Sequence, residues 1–385
     1  MLSKTLQSLV EKYKEHHLYH RYICGKHIQP LLEKHGKYFD IKIIGTSVLG
    51  QPIHVIKIGS GNTKILMWSQ MHGNESTTTK AVFDLCNIFA DPYGHVGGSI
   101  VQHILKQCSI AIIPILNPDG AEAYTRLNAN MVDLNRDNQS LTQPESKILR
   151  QFFDDFKPDF CFNLHGQRTI FSAGNTNNPA TVSFLAPAQD ELCTVTQTRK
   201  KAMEIIVAMD NNLQLQIPNQ VGTYDDAFNI NCVGDTFQSL NVPTILFEAG
   251  HYQKDYEREK VRGYMAQSML VAIHYIAVNE VIGDAYRSYF NIPRNEKLCY
   301  DIIIRNVIVD MQQTDIAIQY EERLLDDKIE FVPKIEQIGN LDKFFGHKEV
   351  DAKGESITTM TGEPIYVGFE NDFVLIKNKL LSLKA

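Results

Sequence analysis

The sequence lacks cysteines in any metal-binding or disulfide-like spacing. Its seven cysteines, an odd number, are scattered along the chain and form no Cys-x-x-Cys pair. This distribution argues against a disulfide framework and against a thiolate metal site, and it indicates reduced cysteines that pack in the interior. Any metal ion must therefore be bound by other ligands.

Motifs of nucleophilic enzymes and of phosphate-binding loops are also missing. No Gly-x-Ser-x-Gly sequence occurs and no cysteine lies beside a known catalytic pattern, so serine and cysteine hydrolases are poorly supported. The glycine-rich segment 59–62 is not followed by the Lys-Ser or Lys-Thr of a phosphate-binding loop, and it therefore indicates a turn.

Excess positive charge and long apolar runs are absent as well. The formal net charge of −7 argues against a binding surface for nucleic acid or for an anionic membrane. No apolar run approaches the roughly 18 residues of a membrane helix, and the first ten residues lack a secretory signal. We predict a cytoplasmic protein, and the length of 385 residues favours two domains.

What the sequence does contain is a repeated unit of apolar run, polar loop and helix-like segment. The apolar or β-branched runs cover residues 64–69, 109–116, 159–164 and 243–247. Two earlier runs, 41–44 and 53–58, flank Gly50 and predict an antiparallel pair. The alternation predicts an α/β sandwich with a mixed or largely parallel sheet.

The two ends of the chain differ from this repeat. Helical spacing of apolar residues predicts an amphipathic helix over about the first 20 residues, and residues 255–281 predict a long closing helix. After about residue 290, strand-like runs alternate with turns; they cover residues 300–309, 315–320 and 366–377. We therefore predict two domains, residues 1–289 with the N-terminal helix and a small β-rich domain of residues 290–385 with no assigned role.

Three residues have the types and positions of a metal site. His72 and Glu75 lie three residues apart on a tight loop, and His165 follows the strand-like run 159–164. Two histidines and one carboxylate are the protein ligands of many catalytic zinc ions, which keep a fourth position open. A histidine of this kind on its own is more often a hydrogen-bonded loop residue, so the hypothesis depends on the combination.

A second polar group surrounds the segment 133–137. Arg126, Asn135 and Arg136 offer donors that can grip a carboxylate and polarise a carbonyl oxygen. Asp133 can accept a hydrogen bond from a metal-binding histidine and fix its tautomer. The alternative is a solvated charge cluster that stabilises a turn.

Glu248 directly follows the apolar run 243–247. A carboxylate at the end of a buried strand loses solvation, which raises its pKa toward the range of a general base. The alternative is a structural cap for the turn at Ala249 and Gly250.

These ordered motifs resemble the zinc metallocarboxypeptidase family, the funnelins, over roughly residues 40–280. The motifs are His72-x-x-Glu75, Asn117-Pro-Asp-Gly120, Arg126, Val132-Asp-Leu-Asn-Arg136, His165 and Phe247-Glu248. The stretch from Arg126 to Arg136 is most similar to bacterial members such as the murein tripeptide amidases. The resemblance implies a three-layer catalytic domain and one zinc ion per chain.

The resemblance also implies a role for each site residue. Zinc is implied on His72, Glu75 and His165, and Glu248 is implied as the general base and acid. Asn135 and Arg136 are implied to bind the substrate carboxylate, and Arg126 is implied to bind the carbonyl oxygen that becomes negatively charged.

Substrate selection is expected from residues between 224 and 237. Tyr224 is the candidate for the family's capping tyrosine, although Phe228 competes and Tyr224 also fits a core position. Asp235, with Gly234, is the candidate for the base of the specificity pocket, where it favours a basic or diamino-acid side chain; a turn residue is the alternative. Two departures are Asp137, where many relatives have asparagine, and the long side chains of Gln167 and Arg168.

Competing functions remain open. The His-Gly-Asn-Glu and Asp-Leu-Asn-Arg sequences also occur in the aspartoacylase and succinylglutamate desuccinylase family, which hydrolyses acyl-amino acids and also has a terminal β domain. A non-catalytic module that binds a carboxylated ligand is the third hypothesis. The expected partner is a peptide or acyl-amino-acid substrate with a free carboxylate, while the sequence gives no oligomeric state.

Overall fold

The computed structural model describes residues 2–94, 97–360 and 362–385. In chain order, the strands before residue 250 are β1 (Asp40–Thr46), β2 (Pro52–Ile58), β3 (Thr63–Ser69), β4 (Cys108–Ile113), β5 (Phe160–Gly166), β6 (Ser172–Ala173), β7 (Val182–Leu185), β8 (Val221–Thr223) and β9 (Thr244–Ala249). All of these except β6 form one sheet in the order β1-β2-β4-β3-β5-β9-β7-β8. The sheet is mixed, as the sequence predicted.

The centre of this sheet is parallel, and each flank contains antiparallel pairs. Strands β4, β3, β5 and β9 pair in parallel, whereas β1 with β2, β2 with β4, and β7 with β9 pair in antiparallel fashion. Central strands β3, β5 and β9 are buried over nearly their whole length because helices cover both faces. Their carboxyl ends meet at one edge of the sheet, which is where ligands bind in open α/β folds.

Helices form the two outer layers. In chain order they are α1 (Leu2–Lys12), α2 (Gly25–His35), α3 (Thr77–Ala90), α4 (Gly98–Gln107), α5 (Pro118–Ala123), α6 (Pro144–Phe156), α7 (Gln197–Leu213), α8 (Val233–Ser239) and α9 (Glu259–Val278). On one face, α1, α3 and α7 pack against the long helix α9. On the other face, Phe153 of α6 and Phe237 of α8 stack at 3.9 Å, and Trp68 of β3 packs edge-on against Phe237.

The last 90 or so residues are β-rich. Their strands are β10 (Asn295–Glu296), β11 (Cys299–Val309), β12 (Gln312–Leu325), β13 (Lys328–Gly339), β14 (Phe345–Asp351), β15 (Ile357–Thr358), β16 (Phe373–Ile376) and β17 (Lys379–Ser382). They form a four-stranded sheet, β13-β12-β11-β14, and a three-stranded sheet, β15-β16-β17, around a shared apolar core. Strand β10 pairs with β6 and so ties this region to the sandwich. The domain boundary at residue 289 stays a prediction.

Three predicted elements are shorter than their patterns suggested. Helix α1 ends at Lys12, well before residue 20, because Asp84 fixes the next segment by accepting a hydrogen bond from the Glu15 backbone at 2.7 Å. The fourth strand ends at Ile113, since Pro114 has no N–H for the sheet. The predicted strand 366–377 is reduced to β16, because Gly368 has a left-handed backbone with φ of +94°.

The structure also bears on the cysteines and on membrane-spanning helices. All seven cysteines are free, and five of them are buried. No helix within the described ranges combines the length and apolarity of a membrane span.

Candidate metal centre and catalytic cleft

Three strand ends of the parallel sheet form the floor of a cleft of about 1030 Å³. His72 and Glu75 lie on the loop between β3 and α3, and His165 is the last residue but one of β5. Glu248 in β9 is the direct register partner of His165. The fold therefore joins residues that are more than 80 positions apart in the sequence.

Close backbone packing shapes the loop that carries His72. A Cβ atom at Gly73 would lie 1.9 Å from the backbone carbon of Gly120, at the start of α5. Only glycine allows this approach. The Asn117 side chain caps α5 by accepting a hydrogen bond from the Gly120 N–H at 2.9 Å, so the Asn-Pro-Asp-Gly sequence supports the loop without binding a ligand itself.

His72, Glu75 and His165 converge on one point. The Nδ1 atoms of the two histidines are 3.1 Å apart. Oε1 of Glu75 lies 2.9 Å from Nδ1 of His72, and Oε2 lies 2.9 Å from Nδ1 of His165. One ligand atom from each residue lies within 4.8 Å of the others. Both imidazoles are 2% exposed. Two imidazole nitrogens and a carboxylate, buried and aimed at one point, are a donor set that fits a zinc ion.

The charges of this cluster are mutually dependent. Burial alone would raise the pKa of Glu75, but the neighbouring imidazoles of His72 and His165 and their hydrogen bonds hold that pKa well below its usual range. Burial lowers the pKa of His165, which favours the neutral ring that a metal ion requires. The Gly166 N–H also donates to Glu75 at 3.1 Å and helps to orient its carboxylate.

Asp133 orients His72 from the opposite side. Its Oδ1 atom lies 3.1 Å from Nε2 of His72, and its Oδ2 accepts two hydrogen bonds from Arg126 at 3.0 and 3.1 Å. A proton on Nε2 of His72 donated to Asp133 leaves the Nδ1 lone pair facing the cluster. Asp133 therefore occupies the position expected of a residue that fixes the histidine tautomer.

Arg126 is held beside the metal-ligand cluster. Besides its bonds to Asp133, its Nη1 atom lies 3.6 Å from Glu75, and the side chain is 46% exposed. Its guanidinium is thus engaged with two carboxylates while one face remains open to the cleft. The expectation that Arg126 binds a substrate oxygen requires it to share or exchange these partners.

Asn135 and Arg136 lie at the cleft next to α8. Oδ1 of Asn135 accepts a hydrogen bond from the Val233 N–H at 3.1 Å, which leaves its amide NH₂ as the free donor. Arg136 bonds only to the neighbouring carbonyl of Asn135 within the described residues, and its guanidinium is exposed. Both residues therefore have donors available for a carboxylate.

Glu248 is buried without a partner for one of its oxygens. It is 8% exposed, and its Oε2 has no hydrogen-bond partner among the described residues. Burial, followed by the negative charge of Glu75, raises the pKa of Glu248 well above its ordinary value. A carboxyl group with a raised pKa beside a metal-ligand cluster is suited to accept and return a proton.

The chain matches a known protein family. The family described as zinc carboxypeptidase matches residues 26–231, which is more than half of the chain. The chain belongs to the zinc carboxypeptidase family.

Individual relatives are more distant. Carboxypeptidase SOL1 of Arabidopsis thaliana is 32% identical over 139 residues, which cover 32% of this chain and 28% of that protein. Gamma-D-glutamyl-L-diamino acid endopeptidase 1 of Lysinibacillus sphaericus is 32% identical over 80 residues, which cover 20% of each. The chain thus spans less than a third of the length of either relative.

Solved structures share the fold of this zinc carboxypeptidase family member. A metallo-carboxypeptidase from Burkholderia cenocepacia has a TM-score of 0.54 at 18% identity, covering 66% of this chain and 68% of that one. A metallo-carboxypeptidase from Pseudomonas aeruginosa, in complex with (2-guanidinoethylmercapto)succinic acid, has a TM-score of 0.52 at 16% identity, covering 65% and 68%. At this identity the likeness concerns the fold alone.

The two specificity candidates both line the cleft of this family member. Tyr224 packs its ring 5.3 Å from that of Phe171, and Phe228 also lines the cleft, so the choice between the two aromatic residues stays open. Asp235 lies in the first turn of α8 and is 8% exposed. Burial raises the pKa of Asp235 to about 6. Gly234 lies beside it at the cleft.

The two departures from the family pattern have different structural surroundings. Asp137 accepts hydrogen bonds from the Thr142 and Gln143 backbones at 2.9 Å each, so it stabilises the following turn. Gln167 is fixed by its amide to the carbonyl of Ala180 at 2.6 Å. Arg168, by contrast, is exposed and lines the cleft.

Several cleft residues carried no signal in the sequence. They include Arg21 near the N-terminus and Arg258 before α9, together with side chains from β12 and β13 such as Glu322 and Phe331. No local spacing links these residues to the catalytic motifs. Only the docking of the β-rich region against the sandwich brings them together.

Proposed function

We propose that this protein is a zinc-dependent metallocarboxypeptidase-type hydrolase that cuts an amide bond next to a free carboxylate in a peptide or peptide-like substrate. The observation that carries the proposal is the convergence of His72, Glu75 and His165 beside the buried, partly unbonded carboxyl group of Glu248. One zinc ion per chain would be held by the first three residues. When bound, zinc supplies Lewis-acid chemistry for a carbonyl group and for an attacking water.

The other residues position the substrate and move the proton. In the proposed mechanism, Glu248 removes a proton from the attacking water and delivers it to the leaving amine. Arg126 donates a hydrogen bond to the carbonyl oxygen as negative charge develops there. Asn135 and Arg136 bind the terminal carboxylate, which explains why their free donors face the cleft.

The side chain of the released residue would lie toward Asp235. A buried carboxylate at that position favours a basic or diamino-acid side chain. The name of the Lysinibacillus relative, which includes a diamino acid, supports the same class of substrate. Tyr224 is proposed to close over the bound substrate. Residues 1–289 are proposed as the catalytic domain and residues 290–385 as a separate β-rich domain.

A substrate panel tests this function. The protein is stripped with a chelator, reloaded with zinc, and assayed with C-terminally basic peptides, cell-wall peptides and N-acyl amino acids. We expect zinc-dependent release of a C-terminal amino acid from a peptide. Cleavage restricted to N-acyl amino acids would instead indicate an aspartoacylase-like enzyme, and zinc binding with no cleavage would indicate a binding module.

A further inference from the structure

The cleft continues beyond the residues that the proposed mechanism uses. Strands β12 and β13 form a hairpin, and Glu322, Phe331 and Lys334 of this hairpin line the same cavity as His72 and Glu248. The β-rich region therefore supplies one wall of the cleft. This wall is distinct from α8, whose Val233 N–H donates a hydrogen bond to Asn135.

Buried polar contacts fix the wall in place. Glu322 accepts a hydrogen bond from Arg21 at 2.9 Å and another from the hydroxyl of Tyr124, and Arg21 is 7% exposed. A second contact joins the hydroxyl of Tyr256 to Asp301 of β11 at 3.0 Å, with Asp301 fully buried. Because both contacts are partly or fully buried, they hold the β-rich region against the sandwich beside the cleft.

Most cations that line the cleft already have partners. Arg21 pairs with Glu322, and Arg126 pairs with Asp133. Lys334 lies 3.5 Å from Glu321. Arg258 is fully buried and donates to the backbone carbonyls of Ala249 and Gln167. Arg21, Arg126 and Lys334 are therefore paired with carboxylates, whereas Arg258 is buried and held by backbone carbonyls.

Besides Arg136, the exceptions are Arg168 and Lys297. Their segments are neighbours, because the Cys299 N–H donates to the Ile170 carbonyl at 3.0 Å. Both side chains line the cleft and are exposed, and neither forms an ion pair or hydrogen bond with another residue in the described ranges. Arg168 follows His165 by only three positions, on the loop after β5, and Lys297 leads into β11. Three carboxylates of the hairpin line the cleft. Glu321 and Glu322 are paired, whereas Glu336 has no ion-pair or hydrogen-bond partner within the described residues. The sum of the charges of the three unpaired groups, Arg168, Lys297 and Glu336, is therefore positive.

We propose that Arg168 and Lys297 form a second carboxylate-binding subsite, which selects peptides with an acidic residue on the amino side of the cleaved bond. This inference rests on the proposed function, because Asn135 and Arg136 are assigned to the terminal carboxylate. An acidic side chain upstream then meets two cations that have no internal partner. A guanidinium can bind a carboxylate in bidentate fashion, while the ammonium adds a second charge.

Matched peptides test the subsite. The peptides share the best C-terminal residue from the substrate panel and carry Glu, Gln or Lys at either of the two positions before the cleaved bond. We expect kcat/KM to be highest for Glu and lowest for Lys. Arg168→Gln and Lys297→Gln should each lower the Glu-to-Lys ratio about three- to fivefold, mainly through KM, and high salt should lower it in the wild type.

Two controls separate this effect from a general loss of charge. Lys328→Gln removes an exposed cation at the start of β13 that does not line the cleft, and it should leave the ratio unchanged. Glu336→Gln removes a cleft charge of opposite sign and should leave the preference for Glu unchanged or raise it. An equal fall of the ratio in Lys328→Gln and Arg168→Gln would overturn the proposal.

Binding measurements distinguish failure of this inference from failure of the proposed function. Calorimetry with the Glu248→Gln variant gives dissociation constants for the same Glu and Lys peptides without turnover. Tighter binding of the Glu peptide that is lost in the double variant Glu248→Gln/Arg168→Gln supports the subsite, even if the wild type cleaves nothing. Equal affinity for both peptides overturns the subsite, even if the enzyme is active.

Discussion

The proton affinity of Glu248 depends on its burial and on the charges of its neighbours. In water a glutamate is ionised near neutral pH and is a weak base, whereas a buried carboxylate near the negative Glu75 is harder to ionise. Its raised pKa therefore makes Glu248 a stronger proton acceptor than an exposed glutamate. A zinc ion on His72, Glu75 and His165 would partly oppose this rise by adding positive charge.

Replacing Glu248 tests its role directly. We expect Glu248→Gln to keep stoichiometric zinc, since the residue is not among the converging ligand atoms, but to lower kcat by about 100-fold or more because the base is lost. Metal content by mass spectrometry and steady-state kinetics measure the two effects. Glu33→Gln, on the exposed face of α2, is the matched control. A Glu248→Gln enzyme with near-normal kcat would remove Glu248 from the mechanism.

Asp235 predicts a pH-dependent side-chain preference. Because burial raises its pKa to about 6, the carboxylate is charged above that pH and neutral below it. The ratio of kcat/KM for a C-terminal lysine to that for its uncharged isostere norleucine should therefore be high at pH 8 and fall about tenfold toward pH 5. The Asp235→Asn variant should show a low ratio that does not change with pH. A wild-type ratio that stays constant from pH 8 to pH 5 would exclude Asp235 from the pocket.

Among the structural elements, the parallel strands were the most predictable. Strands β3, β5 and β9 are short apolar runs. His72 comes three residues after β3, and His165 and Glu248 are the last residues but one of β5 and β9. Placing their ends at one edge of a sheet requires only the general rule for parallel strands. The convergence of His72 with His165 could thus be anticipated before any coordinate was known.

Elements whose boundaries depend on tertiary contacts were not predictable in the same way. Helix α1 stops at Lys12 because Asp84, more than 70 residues away, binds the backbone of Glu15. The hairpin β12–β13 lines the cleft because Glu322 reaches Arg21, about 300 residues earlier in the chain. Neither contact leaves a periodic pattern or a motif in the sequence.

A buried ion pair joins helices α3 and α9 and predicts a large stability effect. Arg262 donates to both oxygens of Asp84, at 2.5 and 2.7 Å, and both residues are at most 1% exposed. Asp84→Ala should lower the free energy of unfolding by about 3 to 5 kcal/mol, because buried Arg262 then keeps only a 3.4 Å contact with Glu259 to balance its charge.

The control uses an exposed pair on α6. Asp154 lies 3.1 Å from Arg150, and its side chain is 54% exposed, so Asp154→Ala should cost less than about 1 kcal/mol. Urea unfolding followed by circular dichroism measures both variants. Similar losses for the two substitutions would contradict the importance assigned to the buried pair.

At the scale of the whole molecule, a histidine pair lies where the sandwich meets the β-rich region. His251 follows β9 and His347 lies in β14, with ring centroids 4.3 Å apart. Burial lowers the pKa of His347 to about 4, with Arg258 acting in the same direction. Burial also holds the pKa of His251 well below its usual value, with added repulsion from His347, Arg258 and Arg21.

This histidine pair predicts that acid weakens the contact between the sandwich and the β-rich region. In the unfolded chain each histidine titrates near pH 6.5, so between pH 6.5 and 4 the unfolded state binds protons that the folded state excludes. The contribution of the pair to stability is therefore fully present above about pH 7. At pH 5 it should fall by roughly 2 kcal/mol through His347, with a further loss through His251. Urea unfolding at pH 7 and pH 5 measures this loss.

Substitution of one member of the pair separates its contribution from general acid denaturation. His347→Gln cannot be protonated in this pH range, so its loss of stability between pH 7 and pH 5 should be smaller than that of the wild type by roughly 2 kcal/mol. His16→Gln, in an exposed position, should keep the wild-type pH dependence. If His347→Gln and the wild type lose stability equally between the two pH values, proton exclusion at this contact does not govern how firmly the β-rich region is held.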